Sequence, residues 1–138
     1  MIIGVSACLL GENCKYNGGN NESNKLRDYV KGHTVVAVCP EVMGGLPTPR
    51  DPAEIVGGVV RQKSGRSVDA EFRTGARAAL KKLKDAGAEL AILQSRSPSC
   101  GVKEIYDGTF TGRLVKGKGI FAAMAEEAGI RAVDAEDL

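Results

Sequence analysis

The sequence predicts an α/β fold, a three-layer sandwich in which a mostly parallel, Rossmann-like sheet has helices on both faces. Three observations predict it. Short apolar runs at residues 2–10, 34–38 and 89–94 have the length and composition of buried strands. Polar or amphipathic stretches of helical period fall between them, and strands alternating with helices imply parallel pairing. The chain of 138 residues has the size of one domain, residues 1–138, large enough to bury a core without staples.

The elements follow in order. Residues 2–10 form the first strand, ended by Gly11, and a polar glycine-bearing loop runs from there to Asn21. A short helix spans about 22–30, with Ser23 or Asn21 as its cap and Gly32 as its stop. The β-branched run 34–38 is the second strand, with Cys39-Pro40-Glu41 at its exit. Residues 43–52, with three prolines and two glycines, are a loop. Residues 55–61 make a short strand or a hairpin arm. A long amphipathic helix, capped by Ser67 or Asp69, runs to Asp85 with Phe72, Ala76, Ala79, Leu80 and Leu83 on one face, and Gly87 stops it. The third core strand, 89–94, runs into Ser95-Arg96-Ser97-Pro98-Ser99-Cys100-Gly101. A turn-rich arm over 105–118, a helix over 119–128 and a final strand at 131–133 complete the chain.

Composition narrows the function. Nineteen basic against seventeen acidic residues give a net charge of +2, without the basic footprint of a nucleic-acid binder. Aromatic residues make up 4% and Trp is absent, which argues against a base-stacking platform for single strands. No apolar run approaches the ~18–20 residues of a membrane span. The apolar start lacks a basic segment, and Cys8 comes too early to follow a signal peptide. A cytoplasmic protein is expected, a monomer or homodimer acting on a small molecule, with no nucleic-acid or membrane partner. In that compartment the four cysteines are not structural disulfides.

Cys8, Cys39 and Cys100 each fall at or just beyond the carboxyl end of a predicted core strand. In an open parallel sheet those ends converge on the crevice where ligands bind. Soft thiolates select zinc, copper(I) or an iron–sulfur cluster, and three ligands with one open position suit a reactive centre. The plainer alternative is three small buried core residues. Cys14, in the glycine-rich loop, is a fourth ligand, a redox partner of Cys8 or incidental.

A set of blocks in this order resembles one bacterial family. They are Ser6-Ala7-Cys8-Leu9-Leu10-Gly11, Lys15-Tyr16-Asn17-Gly18-Gly19, Val38-Cys39-Pro40-Glu41, Gly45-Leu46-Pro47-Thr48-Pro49-Arg50, Ser97-Pro98-Ser99-Cys100-Gly101 and Ile105-Tyr106-Asp107-Gly108-Thr109-Phe110. The family, long catalogued as a domain of unknown function, is that of the thiouracil desulfidases. The resemblance implies a 4Fe–4S cluster bound by Cys8, Cys39 and Cys100, with one iron open to the sulfur of a thiolated base. It also implies a non-redox replacement of that sulfur by oxygen in thiouracil, a thiouridine or its monophosphate, such as 4-thiouracil or 4-thio-UMP, with release of hydrosulfide. The family pattern varies at the position of Cys14, which leaves that residue out of the ligand set.

Such a substitution needs a proton-transfer group, and Glu41, two residues beyond Cys39, is the candidate. Its alternative is a loop or helix-start carboxylate satisfied by backbone amides. Asp107 reads as a turn residue. Ser99 is a second catalytic candidate because it adjoins Cys100; Ser97 is a substrate-binding candidate, and both serines equally suit the cap of a helix opening at Gly101. Ser6 carries the same ambiguity. For a nucleotide phosphate, the loop residues Tyr16, Asn17 and Gly18 offer backbone N–H groups and Lys15 and Arg50 offer charge, although the loop is neither a P-loop nor a dinucleotide fingerprint. His33, at a helix end, is assigned no role. Two other classes remain: a zinc-dependent hydrolase of a small substrate, which lacks the deaminase zinc signature, and a non-catalytic metal- or ligand-binding module.

Overall fold

A computed structural model describes residues 1–138. Its elements are β1 (Ile2–Ser6), α1 (Asn24–Tyr29), β2 (Thr34–Val38), α2 (Pro40–Met43), β3 (Ala53–Val56), β4 (Val59–Gln62), α3 (Asp69–Ala86), β5 (Leu90–Leu93), β6 (Glu104–Tyr106), β7 (Leu114–Lys116), α4 (Ile120–Glu127) and β8 (Arg131–Asp134). The apolar runs assemble into one parallel sheet in the order β2-β1-β5-β8, with Ile2 opposite Thr34, Ile3 opposite Leu90 and Leu90 opposite Arg131. From β1 the chain moves outward to β2; from β5 it moves the other way to β8. The connections therefore diverge between β1 and β5, which leaves a crevice above the carboxyl ends of those strands.

Side chains alternate across the sheet as the pleat requires. On one face Ala91 and Leu93 pack with Ala76, Ala79 and Leu83 of α3 and Phe121, Ala122 and Ala125 of α4. On the other, Ile3, Val5, Leu90 and Ile92 pack with Leu26 of α1, Val30 and Leu9. This second layer is thin, because α1 has six residues and the C-terminal Ala135 and Leu138 complete the cover. A glycine in β1 answers to Leu83: a Cβ on Gly4 would stand 2.7 Å from Leu83 Cδ2. No helix is long and apolar enough to cross a membrane.

Several boundaries differ from the sequence reading, each for a local reason. The first strand stops at Ser6, and Ala7–Leu10 turns into a 3-10 helix closed by the left-handed Gly11, whose N–H reaches the Cys8 carbonyl. Ser23 caps α1 through the Leu26 N–H. The stretch at 55–61 is both arms of a hairpin, β3 with β4, turned at Gly57-Gly58, where both φ angles are positive. The predicted caps of α3 are replaced by Val68; the Asp69 carboxylate instead accepts from the Val60 N–H and pairs with Arg73. No helix opens at Gly101. The Ser97 hydroxyl accepts from the N–H groups of Ser99 and Cys100 and closes a turn there.

Two close approaches hold the site elements. A Cβ on Gly75 of α3 would lie 1.7 Å from the Pro40 carbonyl oxygen, and one on Gly44 would lie 2.0 Å from the Glu71 carbonyl oxygen. Only this glycine pair lets α2 rest backbone-to-backbone on α3. The Ser97–Gly101 turn, in turn, sits on the start of α4. The Ser99 carbonyl accepts from the N–H groups of Phe121 and Ala122, and Gly119 N–H reaches the Gly101 carbonyl.

Candidate active site

The crevice is a cavity of about 570 Å³ over the carboxyl ends of β1, β2 and β5. Its floor carries Cys8, Cys39 and Cys100, as the strand-end reading expects, and Cys14 joins them from the loop after β1. The 3-10 turn after β1 sets Cys8, and the Asn21 side chain donates to its sulfur at 3.5 Å. Cys39 sits at the N-cap of α2, and its thiol donates to the Cys14 carbonyl at 3.9 Å. Cys100 ends the turn carried by α4 and is only 4% exposed.

Burial dominates the electrostatics of the thiols. It pushes Cys100 up to about 12, against a hydrogen bond from Ser6. It raises Cys8 against the Asn21 hydrogen bond, and it lifts Cys14 to about 12, with the neighbouring Cys39 adding to the shift. These sulfurs hold their protons until a cation offsets the burial. Binding of a metal centre does that and releases the protons. The donor set is soft and aimed into one cavity, so the residues fit an iron–sulfur cluster.

Beside the thiols lies a hydrogen-bonded chain. Glu41, in the first turn of α2, accepts from the Ser99 hydroxyl through Oε2 at 2.8 Å and from Arg50 Nε through Oε1 at 3.2 Å. Ser99 Oγ lies 2.9 Å from Ser97 Oγ and 3.7 Å from Cys100 Sγ. Because Ser99 gives its one proton to Glu41, the Ser97 hydroxyl donates to Ser99. A continuous path, Ser97 to Ser99 to Glu41, thus ends at the carboxylate. The Arg50 side chain is 4% exposed, and its other nitrogens reach the carbonyls of Cys14 (2.8 Å) and Pro47 and the Thr48 hydroxyl.

The sequence candidates divide accordingly. Glu41, Ser97, Ser99, Lys15, Tyr16 and Arg50 all line the cavity with the cysteines. Asn17 and Gly18 do not: the Asn17 side chain turns back to accept from the Gly19 N–H, and Gly18 makes the left-handed corner of that turn. The loop is the Asn-Gly turn that its composition favours. Asp107 is a turn residue, its carboxylate accepting from the Thr109 N–H and hydroxyl. Sequence reasoning passed over Asn21, Tyr106 and Phe110, although the last two stand in a quoted block; a count of where the few aromatic residues fall would have raised them.

The profile of the 2-thiouracil desulfurase family matches residues 3–137. The chain belongs to this family. It is 40% identical over 144 residues to the uncharacterised protein YbbK of Bacillus subtilis (strain 168), with 97% of this chain and 95% of that one covered. Among solved structures it is similar to a 4Fe–4S-dependent thiouracil desulfidase, TudS, at 43% identity and a TM-score of 0.91, covering 99% of this chain and 91% of that one. The resemblance carried by the six sequence blocks and the α/β fold are both borne out. Membership in the desulfurase family also explains why the blocks, spread from Ser6 to Phe110, contribute to a single cavity.

Proposed function

We propose that this protein removes sulfur from a thiolated uracil, replaces it with oxygen from water and releases hydrosulfide. Cys8, Cys39 and Cys100 hold the 4Fe–4S cluster, and Cys14 stays outside the ligand set. The observation that carries the reading is the presence, in one cavity, of strand-end thiols and the Glu41–Ser99 hydrogen-bonded pair. Membership in the desulfurase family and the similarity to a 4Fe–4S-dependent thiouracil desulfidase support it.

When bound, the cluster supplies a soft Lewis acid that polarises the thiocarbonyl. The protein supplies position and protons. Glu41 takes a proton from the attacking water on its cavity-facing carboxylate, and Arg50 fixes the direction of that carboxylate. Ser99 holds the carboxylate from the other side, with Ser97 bonded behind it, and Glu41 itself returns the proton towards the departing sulfur. The carbon–sulfur double bond is exchanged for carbon–oxygen. The water's oxygen goes to the ring, one of its protons leaves with hydrosulfide, the other passes to solvent, and no electrons are gained or lost. For a nucleotide substrate, Lys15 and Lys63 are the cavity-lining basic residues for the phosphate, since Arg50 is paired with Glu41 and Arg96 with Glu136.

The test is anaerobic reconstitution followed by iron and sulfide analysis and an assay on 4-thiouracil and 4-thio-UMP. Serine at Cys8, Cys39 or Cys100 removes the cluster, whereas Cys14→Ser retains it. Glu41→Gln keeps the cluster and slows turnover by about 10²–10⁴. Full cluster binding without any turnover would leave a binding module in place of an enzyme.

A further inference from the structure

The chain has six aromatic residues, three Tyr and three Phe. Phe72 and Phe121 are fully buried in the core and Tyr29 stands on the surface. The other three, Tyr16, Tyr106 and Phe110, line the cavity that holds the cysteines. In a chain this poor in aromatics, that concentration sets the cavity apart from the rest of the molecule.

Phe110 is the most constrained of the three. It belongs to none of the hydrophobic clusters of the core. Its backbone is left-handed, with φ of +58°, a conformation that bulky residues avoid and that persists only where the surroundings over-determine it. The over-determination is visible. Glu54 of β3 places Oε1 where it accepts from both the Gly108 N–H (2.9 Å) and the Phe110 N–H (3.1 Å). Gly108, at φ +92°, lies so close to β3 that a Cβ would stand 2.6 Å from the Ile55 carbonyl oxygen. Asp107 N–H reaches the Arg113 carbonyl and closes the loop on itself. A carboxylate from one hairpin thus fastens the tip of the other, and the residue fastened is an aromatic one facing the cavity.

We infer that Phe110 stacks on the pyrimidine ring of the substrate and that Glu54 is the positioning residue that holds it there; this rests on the desulfuration reading above. A thiolated uracil is a flat ring whose reacting edge must face the thiols. A π-face on the cavity wall restrains the ring, and stacking of this kind tolerates either sulfur or oxygen on the ring. Product uracil therefore binds to the same wall.

The experiment uses reconstituted holoenzyme and measures three quantities: iron and sulfide per chain, the competitive Ki of uracil, and KM and kcat for 4-thiouracil. Phe110→Ala is expected to raise the uracil Ki and the thiouracil KM together, roughly tenfold, with the cluster content unchanged. Phe110→Tyr, which keeps a ring face, restores most of the affinity that Phe110→Ala loses. Glu54→Ala, which frees the Gly108 and Phe110 N–H groups, reproduces the rise in Ki, and Glu54→Gln, which loses the charge but retains an acceptor oxygen for both, moves it less. Should Phe110→Ala fail to fold, Phe110→Leu removes the π-face at similar bulk and is expected to shift Ki in the same direction. Unchanged Ki and KM in a folded, cluster-loaded variant would overturn the assignment, as would loss of cluster as the main effect. If the wild type binds cluster but turns over no thiouracil, the desulfuration reading falls and calorimetric titration with uracil still decides the stacking site. Binding weakened by Phe110→Ala sustains it; binding unaffected, or absent in the wild type, removes it.

Discussion

Arg50 joins three pieces of chain through one guanidinium: the Glu41 carboxylate, the carbonyl of Cys14 in the loop after β1, and the Pro47-Thr48 turn. A planar fork does this and a single ammonium cannot. Arg50→Met leaves a half-buried carboxylate and two carbonyls without their donor. It is expected to cost about 2 kcal/mol in denaturant unfolding, less than a fully buried pair because Glu41 faces the cavity. Arg50→Lys restores little of it, and equal midpoints for wild type and Arg50→Met would refute the bracing role. At this scale the sequence was legible for residue types but not for pairings. Arg50 read as a phosphate ligand because a charge seen alone has no partner. Glu41 and Ser99, 58 positions apart, meet only once the turns after β2 and β5 are in place.

Helix α2 has one turn's worth of residues, yet it orients both Cys39 at its cap and Glu41 in its first turn. No periodicity exists in four residues, which is why the sequence shows only a proline after a strand there. The glycine pair gives the support that length does not. Gly75→Ala drives a methyl group into the Pro40 carbonyl, and overpacking of that kind typically costs about 1–3 kcal/mol. The displacement falls on α2, so the variant is expected to lose cluster capacity and turnover together while its helical circular dichroism persists. Normal cluster content and kcat in Gly75→Ala would show that α2 does not need the contact. By contrast, β1 and β5 were legible as apolar runs, because strands buried on both faces leave continuous hydrophobic signatures, and the edge strand β2 was legible through its β-branched residues. The split of residues 105–118 into β6 and β7 was not, since the β7 side chains are all exposed and carry no burial pattern.

Across the whole molecule, the strand order decides where the chemistry sits. With β1 and β5 adjacent and their connections diverging, Cys8 and Cys100 are brought to one mouth, and β2 delivers Cys39 beside them. A ligand that ties three strand ends together binds the folded state alone, and its binding free energy adds to stability. Cluster-loaded protein is expected to melt about 5 °C or more above the cluster-free form under anaerobic calorimetry. Cys39→Ser is expected to abolish that gap, and identical melting of the loaded and cluster-free wild type would contradict a cluster held across the sheet. The two hairpins stand outside this arrangement. β3–β4 and β6–β7 form separate two-stranded sheets, fastened to each other through Glu54 and to the main body by their connections and by the packing of Val60 on Phe72. On the roles proposed above, the sulfur chemistry belongs to the sheet and the grip on the ring to a hairpin tied to the sheet through Glu54, connections and one packing contact. An engineer seeking a new thiolated heterocycle would vary Phe110 alone, keep Gly108 and Glu54, which set its backbone, and leave every cysteine in place.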